Sequence, residues 1–215
     1  MKSPRTSNLS RALLLLLMVT ALAACDDHRP HYPPLAGDAV VLAFGDSVTH
    51  GTGGGGTSYP ALLAEMTGWR VVNAGIPGDT ARRARARIDG LLERHRPDLV
   101  IVELGGNDFL RKHPEDQVRE DLRSIVAAVR DSGAIPALVA VPRLSLLRAT
   151  TGSLTDAPLY RELAAAEEAL LIEAVFSGVL SQDSLLADPI HPNAEGYRVL
   201  AEGILDALRA AGLTP

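Results

Sequence analysis

Short apolar runs alternate with amphipathic segments from about residue 38 to the end of the chain, and this alternation restricts the fold more than any other feature. Residues 40–44 form a continuous apolar run, which is typical of a strand buried on both faces. Residues 197–208 instead place their apolar side chains at helical spacing. Strands that alternate with helices predict an α/β fold, in which helices cover both sides of a parallel sheet. We predict strands over residues 40–44, 69–72, 99–104, 137–141 and 169–172, and helices over 60–66, 80–94, 117–130, 160–168 and from about 194 onwards.

The first 24 residues have the pattern of an export signal. Three basic residues, Lys2, Arg5 and Arg11, precede the apolar run 12–24, whose thirteen residues are too few to span a bilayer. The run ends in Leu-Ala-Ala-Cys, which resembles a bacterial lipobox, in which the cysteine is lipidated and becomes the mature N-terminus. The alternative is an ordinary secretory signal, with Cys25 incidental. Since Cys25 is the only cysteine, a disulfide within the chain is excluded.

These features divide the chain into three parts. Residues 1–24 are predicted to be a lipoprotein signal peptide, residues 25–37 a lipidated Cys25 followed by a proline-containing tether, and residues 38–215 a single domain. We therefore expect an exported protein of the bacterial cell envelope, anchored in a membrane by its N-terminal lipid and facing the periplasm or the cell exterior.

The charge of the mature chain argues against two classes of partner. Without the three basic residues of the signal, 18 Lys and Arg face 26 acids, a net charge of −8. Neither nucleic acid nor an anionic membrane surface is expected to attract such a protein. The basic cluster at residues 82–87 lies on a segment whose apolar residues recur at helical spacing, so we expect its arginines mostly on a solvated outer face.

Three polar motifs follow predicted strands or precede the last helix. Gly-Asp-Ser-Val-Thr occupies residues 45–49, Gly-Gly-Asn-Asp residues 105–108, and Asp-Pro-Ile-His-Pro-Asn residues 188–193. Open parallel sheets bind ligands at the carboxyl ends of their strands. Each motif alone is weak, but their joint placement in this order predicts one active site.

The residue types in these motifs are those of nucleophilic acyl transfer. A serine hydroxyl such as that of Ser47 needs a base to remove its proton, and His191 is suited to this because histidine titrates nearest neutral pH. Asp188 can fix the histidine tautomer and support its charged form. The Ser47 N–H and the Asn107 amide can stabilise the oxyanion.

These motifs, with Asn-Ala-Gly after the second strand, resemble the four blocks of the SGNH (GDSL-like) hydrolases. The spacing is similar to the lysophospholipase/thioesterase I/arylesterase branch from about residue 40 to 208. The resemblance implies a flavodoxin-like three-layer sandwich with about five parallel strands, and no metal or cofactor. It implies Ser47, Asp188 and His191 as catalytic triad, and Ser47 N–H, Gly75 N–H and the Asn107 side chain as oxyanion hole. Residues 142–159 do not match the substrate loops of the branch.

The expected activity is hydrolysis of short-to-medium acyl esters through an acyl-enzyme, by a monomer. Aryl esters, acyl thioesters and lysophospholipids are candidate substrates. One alternative is an envelope carbohydrate O-deacetylase that uses the same triad. Another is a catalytically silent lipoprotein that binds lipids or a partner, which the complete triad disfavours.

A glycine-rich loop at residues 51–56 resembles two nucleotide-binding motifs in part. It satisfies G-x-G-x-x-G, but the acid expected at the end of the second strand is replaced by Asn73-Ala74-Gly75. It also approaches a P-loop, but Thr57 occupies the position of the lysine. We therefore expect no nucleotide site and interpret the loop as a flexible segment beside the ester pocket.

The remaining polar candidates have simpler interpretations. No two of the six histidines have H-x-x-x-H spacing, so no metal site is predicted. His50 is close to Ser47 in sequence but lacks a rigidly placed carboxylate, so we expect a pocket-wall residue. Asp46 and Asp108 are predicted to make capping or loop hydrogen bonds.

Overall fold

A five-stranded parallel sheet forms the centre of the computed structural model, which describes residues 31–143 and 154–214. The strands lie in the order β2-β1-β3-β4-β5, which is the flavodoxin-like order, so the predicted fold class is confirmed. Their bounds are β1 Val40–Gly45, β2 Arg70–Gly75, β3 Leu99–Glu103, β4 Ile135–Val139 and β5 Leu170–Ile172.

Helices cover both faces of this sheet. The connection from β1 leads to β2 on one side, whereas the later connections lead the other way, and right-handed crossovers therefore place their helices on opposite faces. In accordance with this, α2 packs against α9, and α3 and α4 pack against α6. The helices are α1 Ser47–His50, α2 Tyr59–Thr67, α3 Ala81–Arg85, α4 Ile88–His95, α5 Gly106–Leu110, α6 Glu115–Asp131, α7 Pro158–Ala166, α8 Val175–Leu180 and α9 Ala194–Ala210.

A short antiparallel pair stands apart from the main sheet. β6 (Leu186–Asp188) follows a 3-10 turn at Asp183–Leu185 and pairs with β7 (His191–Pro192), so that Asp188 lies opposite His191. The sequence predicted only a loop here, because two-residue and three-residue strands carry no detectable periodicity.

The core lies on both faces of the central strands. Every residue of β3 and the last five residues of β1 are buried, as their apolar runs predicted. β2 is one of the two edge strands and remains partly exposed. The largest fully buried side chains are tyrosines, Tyr59, Tyr160 and Tyr197. Their hydroxyls reach the segments that follow β1 and β3, where they bind Thr49, Leu104 and Thr52.

The segment predicted as one helix over residues 80–94 is two helices. Ala86 ends α3, and Arg87 leaves helical geometry with φ −120° and ψ −6° before α4 begins. Arg82, Arg83 and Arg85 are exposed, as expected. Arg87 is the exception: its side chain is only 21% exposed because it turns inward to the buried carboxylate of Asp79.

The end of the predicted tether lies on the domain. The N–H of Tyr32 donates to the carbonyl oxygen of Ala211, and that of Leu35 to Leu213. Residues 1–30, with the predicted signal peptide and Cys25, lie outside the described residues, as does the stretch 144–153 within the segment 142–159 that does not match the substrate loops of the branch. In the described part of the chain, no helix combines the length and apolarity needed to cross a bilayer.

Candidate active site

The three polar motifs meet at the carboxyl edge of the sheet. Ser47 begins α1 directly after β1, Asn107 lies in α5 after β3, and His191 lies in β7. β1 and β3 are neighbours on either side of the point where the strand connections reverse direction. Ligand sites of open α/β sheets form at such a switch point.

Ser47, His191 and Asp188 form a continuous hydrogen-bonded chain. The Ser47 Oγ lies 2.9 Å from His191 Nε2, and His191 Nδ1 lies 2.7 Å from Asp188 Oδ2. An ionised Asp188 accepts a hydrogen bond from the Nδ1–H of His191. This tautomer leaves Nε2 as the acceptor for the serine hydroxyl. The geometry is that of a nucleophile, its base and the group that orients the base.

The local structure keeps Asp188 ionised. Partial burial raises the pKa of its carboxyl, but hydrogen bonds from the Ile190 N–H and from His191 outweigh this and lower the pKa below its ordinary value. Its Oδ1 accepts the N–H groups of Ile190 and His191, each at 3.0 Å. The turn between β6 and β7 therefore orients the carboxylate before the imidazole binds it.

The glycine-rich loop packs against the histidine turn. A Cβ on Gly53 would lie 2.7 Å from the Pro192 carbonyl oxygen and 3.2 Å from His191 Cβ, and one on Gly54 would lie 2.7 Å from the Tyr197 ring. The Tyr197 hydroxyl donates to the Thr52 carbonyl at 2.8 Å. The loop thus includes positions at which only glycine permits the approach.

The Asn107 amide has one hydrogen engaged and one without an acceptor among the residues that the structure describes. Its Nδ2 donates to Asp46 Oδ2 at 2.8 Å, and an amide nitrogen carries two hydrogens. The N–H of Ser47, at the first position of α1, has no acceptor within its own helix. Both groups match the donors that the sequence predicted for an oxyanion.

The N–H of Gly75, the third predicted donor, is already occupied. It donates to Asn73 Oδ1 at 3.0 Å. A Cβ on Gly75 would lie 2.2 Å from the His50 backbone nitrogen, so this glycine permits close packing under α1. The arrangement corrects the expectation that Gly75 offers a free N–H to the site.

In the loop that follows β2, Gly78 has an N–H without an acceptor among the described residues. The Ile76 N–H donates to the Gly45 carbonyl, the Asp79 N–H donates to the Ile76 carbonyl, and Pro77 has no N–H. The Gly78 N–H has no acceptor within residues 31–143 and 154–214. Sequence reasoning missed Gly78, because the occupancy of an N–H depends on how the Asn73 side chain folds back.

Asp46 is a helix cap, as predicted, and it also holds Asn107. Its Oδ1 accepts the Val48 N–H at 3.0 Å, while its Oδ2 accepts from Asn107. The side chain is buried, and burial raises its pKa to about 6, although hydrogen bonds from Val48, Asn107 and Glu103 work in the opposite direction.

Glu103 is a second buried acid that sequence reasoning missed. It ends β3, opposite Gly45, and burial followed by the neighbouring Asp46 raises its pKa well above the ordinary value. Thr49 Oγ1 donates to Glu103 Oε2 at 3.1 Å and lies 3.0 Å from the Tyr59 hydroxyl. The available signal was the single acid at the end of an otherwise apolar strand.

Arg87 links the carboxyl ends of β1 and β2. Its guanidinium donates to the carbonyl oxygens of Gly45 and Ala74 at 3.0 and 2.9 Å, and to Asp79 at 2.9 Å. It also lies 4.2 Å from the Phe44 ring centroid. Its position in a cluster of exposed arginines gave no signal of this role.

The other polar residues near the site have structural partners. Asp108 accepts the Ala81 N–H at 2.9 Å and lies 2.9 Å from His113 Nδ1, which are the predicted loop hydrogen bonds. His50 is exposed on α1.

A small cleft beside Ser47 and His191 is lined by the apolar side chains of Leu110, Phe176 and Ile190.

Comparison with known proteins gives consistent matches over most of the chain. A model of the GDSL-like lipase/acylhydrolase family matches residues 43–199. Thioesterase 1/protease 1/lysophospholipase L1 of Escherichia coli strain K12 is 31% identical over 202 residues, covering 91% of this chain and 90% of that protein. Esterase TesA of Pseudomonas aeruginosa is 32% identical over 210 residues, covering 93% and 98%. A crystal structure of TesA matches with a TM-score of 0.70 at 29% identity, covering 80% of this chain and 99% of that one.

Proposed function

The chain belongs to the GDSL-like lipase/acylhydrolase family, and from this premise we propose that Ser47 attacks short-to-medium acyl esters and thioesters to form an acyl-enzyme. The protein is a serine hydrolase of ester or thioester bonds, in line with its relatives. The observation that carries the assignment to Ser47 is the hydrogen-bonded chain from Asp188 through His191 to the Ser47 hydroxyl.

The chemistry proceeds in two proton-balanced halves. His191 Nε2 takes the Ser47 proton as Oγ bonds to the acyl carbon, and the carbonyl π-electrons move to the oxygen. The intermediate collapses, the bond to the leaving alcohol or thiol breaks, and His191 returns the proton to that group. His191 then deprotonates a water that attacks the acyl-enzyme, and the proton returns to Ser47 as the acid leaves. Asp188 stays ionised and supports the imidazolium in each half.

The oxyanion needs donors that are fixed before the reaction. We assign this role to the Ser47 N–H, the free hydrogen of Asn107 Nδ2 and the N–H of Gly78. Gly78 replaces Gly75 in the assignment because the Gly75 N–H is bound to Asn73.

The acyl group is proposed to lie in the cleft beside Leu110, Phe176 and Ile190. An open cleft buries a chain only partly, so each methylene contributes less than the roughly 0.8 kcal/mol of full burial. Lysophospholipids and acyl thioesters are candidate substrates because a relative is named for both activities.

A substrate panel tests this proposal. Initial rates are measured on p-nitrophenyl esters from C2 to C12, acyl-CoA thioesters, a lysophospholipid and acetylated xylo-oligosaccharides. We expect turnover of esters and thioesters with a shallow chain-length dependence. Turnover confined to acetyl groups on carbohydrate would reject the proposal in favour of an O-deacetylase.

Export and lipidation at Cys25 are proposed from the sequence of residues 1–25. The proposed anchor would hold the enzyme at an envelope membrane facing the periplasm or exterior, and a monomer suffices because all proposed catalytic groups lie in one chain. Cys25→Ser should abolish incorporation of labelled fatty acid and release the protein from the membrane fraction. A wild-type mature N-terminus found unlipidated by mass spectrometry would reject the anchor.

A further inference from the structure

A buried polar chain connects the protein core to Asn107. The Tyr59 hydroxyl lies 3.0 Å from Thr49 Oγ1, Thr49 Oγ1 donates to Glu103 Oε2 at 3.1 Å, and Asp46 Oδ2 accepts from Asn107 Nδ2 at 2.8 Å. Glu103 lies opposite Gly45 in the sheet, which places it next to Asp46, and both acids line the cleft beside Ser47. The first four of these residues are at most 3% exposed. None of them has a step in the acyl-transfer chemistry described above.

The hydrogen-bond partners decide where the proton of the acid pair resides. Both Asp46 oxygens accept from donors that cannot reverse, the Val48 N–H and the Asn107 amide nitrogen. A contact between two carboxyl groups is a hydrogen bond only when one of them is protonated. The proton therefore resides on Glu103, whose carboxyl donates a hydrogen bond to Asp46, and Asp46 carries the negative charge.

The ionised Asp46 fixes which end of the Asn107 amide faces it. A carboxylate accepts hydrogen bonds only, so it binds the amide nitrogen and repels the amide oxygen. Of the two hydrogens on Nδ2, one is bound to Asp46 and the other remains for substrate. If Glu103 ionised, two negative carboxylates would adjoin in a buried site, an arrangement of high electrostatic cost.

We propose that Glu103 and Asp46 act as a proton-sharing pair that positions the Asn107 amide, and that the enzyme works with Glu103 protonated and Asp46 ionised. The proposal rests on the proposed function, since it concerns the oxyanion donor of that site. Asp46 and Glu103 are positioning residues that act through Asn107.

The groups that face the pair keep this state through neutral pH. Tyr59, Tyr160 and Tyr197 approach from three helices; burial raises the pKa of each, and an ionised Glu103 would raise it further. His191 approaches from β7, and in its protonated form it lowers the pKa of Asp46. The tyrosines stay neutral, so Glu103 is the group whose ionisation disturbs the pair at alkaline pH.

Glu103→Gln tests the protonation state. Glutamine has the shape of a protonated glutamate and donates an N–H, but it cannot ionise. We expect kcat at pH 7 within about threefold of wild type, and the loss of kcat expected of wild type at alkaline pH to be absent or shifted upward. Glu167→Gln, which changes a buried acid paired with Arg123 and Arg130, is the matched control and should keep the wild-type profile.

Two outcomes of that experiment overturn the proposal. One is a kcat of folded Glu103→Gln reduced tenfold or more at pH 7, which would mean that the negative charge of Glu103 is needed. The other is an alkaline profile that matches wild type. Folding of each variant is checked by circular dichroism.

A double-mutant cycle tests the link to Asn107. Asp46→Asn places an amide against the Asn107 nitrogen, and we expect kcat to fall on the order of 10²-fold with little change in KM. The double variant Asp46→Asn with Asn107→Ala should be no slower than Asn107→Ala alone, since the two residues act as one unit. Losses that multiply would overturn the proposal, as would an unchanged kcat in Asp46→Asn.

The controls separate this inference from the proposed function. Asp121→Asn, which changes a buried acid paired with Arg85, should keep the wild-type kcat. An active Ser47→Ala would reject the proposed function itself. An inactive Ser47→Ala together with multiplying losses in the cycle would reject only the role of the acid pair. If Asp46→Asn does not fold, the Glu103→Gln profile decides the proposal alone.

Discussion

The two acids nearest to Ser47 along the chain and through His191, Asp46 and Asp188, have environments that shift their pKa values in opposite directions. Asp188 is 45% exposed at its side chain and has a lowered pKa, because backbone N–H groups and His191 bind its charged form. Asp46 has a raised pKa, because burial removes its carboxylate from water. One acid supports the base through its charge, and the other shares a proton with its neighbour. Separated pKa values of this kind mark a division of roles between acids.

Asn107→Ala should reduce kcat by about 10²–10³-fold with little change in KM, because its free N–H stabilises charge that exists only in the transition state. Steady-state kinetics on a short aryl ester measure both constants. A change confined to KM would mean that Asn107 binds the substrate ground state, and that the oxyanion is stabilised elsewhere.

The loop at residues 51–56 follows α1, the helix that begins at Ser47, and packs against the turn that holds His191. A Cβ on Gly53 would meet Pro192 and His191, whereas a Cβ on Gly55 or Gly56 would meet nothing within 4 Å. The expected flexible loop is thus closely packed at its centre. Its packing links two catalytic residues that are far apart in sequence but separated by one hydrogen bond in space.

Gly53→Ala should lower kcat/KM by about tenfold or more, because its Cβ would displace the histidine turn and an ångström of misplacement costs about 10²-fold. Gly56→Ala is the matched control. Both glycines have strongly positive φ, +88° and +99°, so both substitutions strain the backbone, but a Cβ on Gly56 would meet nothing within 4 Å. Equal kinetic losses in the two variants, measured on folded protein, would contradict a positioning role for Gly53.

The elements predicted from sequence are those whose burial is uniform. Apart from the last residue of each strand, β1 and β3 are apolar along their length. The bounds of both strands were predicted to within one residue. The break at Arg87 was not predicted, because Ala84 and Ile88 continue one helical stripe across it. The triad candidates could be identified because each lies in a recognisable motif. The Glu103–Asp46 pair depends on the register that sets Glu103 opposite Gly45, which no pattern in a single sequence specifies.

The buried acid pair also makes the stability of the whole molecule depend on pH. The pKa of Asp46 is about 6 in the folded state against 3.8 ordinarily, and that of Glu103 is raised further. A raised pKa means that the folded state binds protons more tightly than the unfolded state. The stabilisation is therefore complete below the ordinary values and is lost as pH rises through the folded ones.

Urea unfolding at pH 7 and pH 9 measures this dependence. Wild type should lose free energy of unfolding as the pH rises and Glu103 is forced to ionise, and Glu103→Gln should lose less. Comparison of the two proteins removes the contribution of all other titrating groups. An equal loss in both would contradict a protonated Glu103 in the folded state.

Covalent trapping of Ser47 tests the central claim most directly. The purified protein is incubated with an aryl phosphonate, which reacts with activated serine hydroxyls, and the labelled peptide is identified by mass spectrometry. We expect one phosphonyl group per chain, on Ser47, with labelling abolished in Ser47→Ala and slowed by several orders of magnitude in His191→Ala. A label on a different residue, or full ester turnover by Ser47→Ala, would contradict the account.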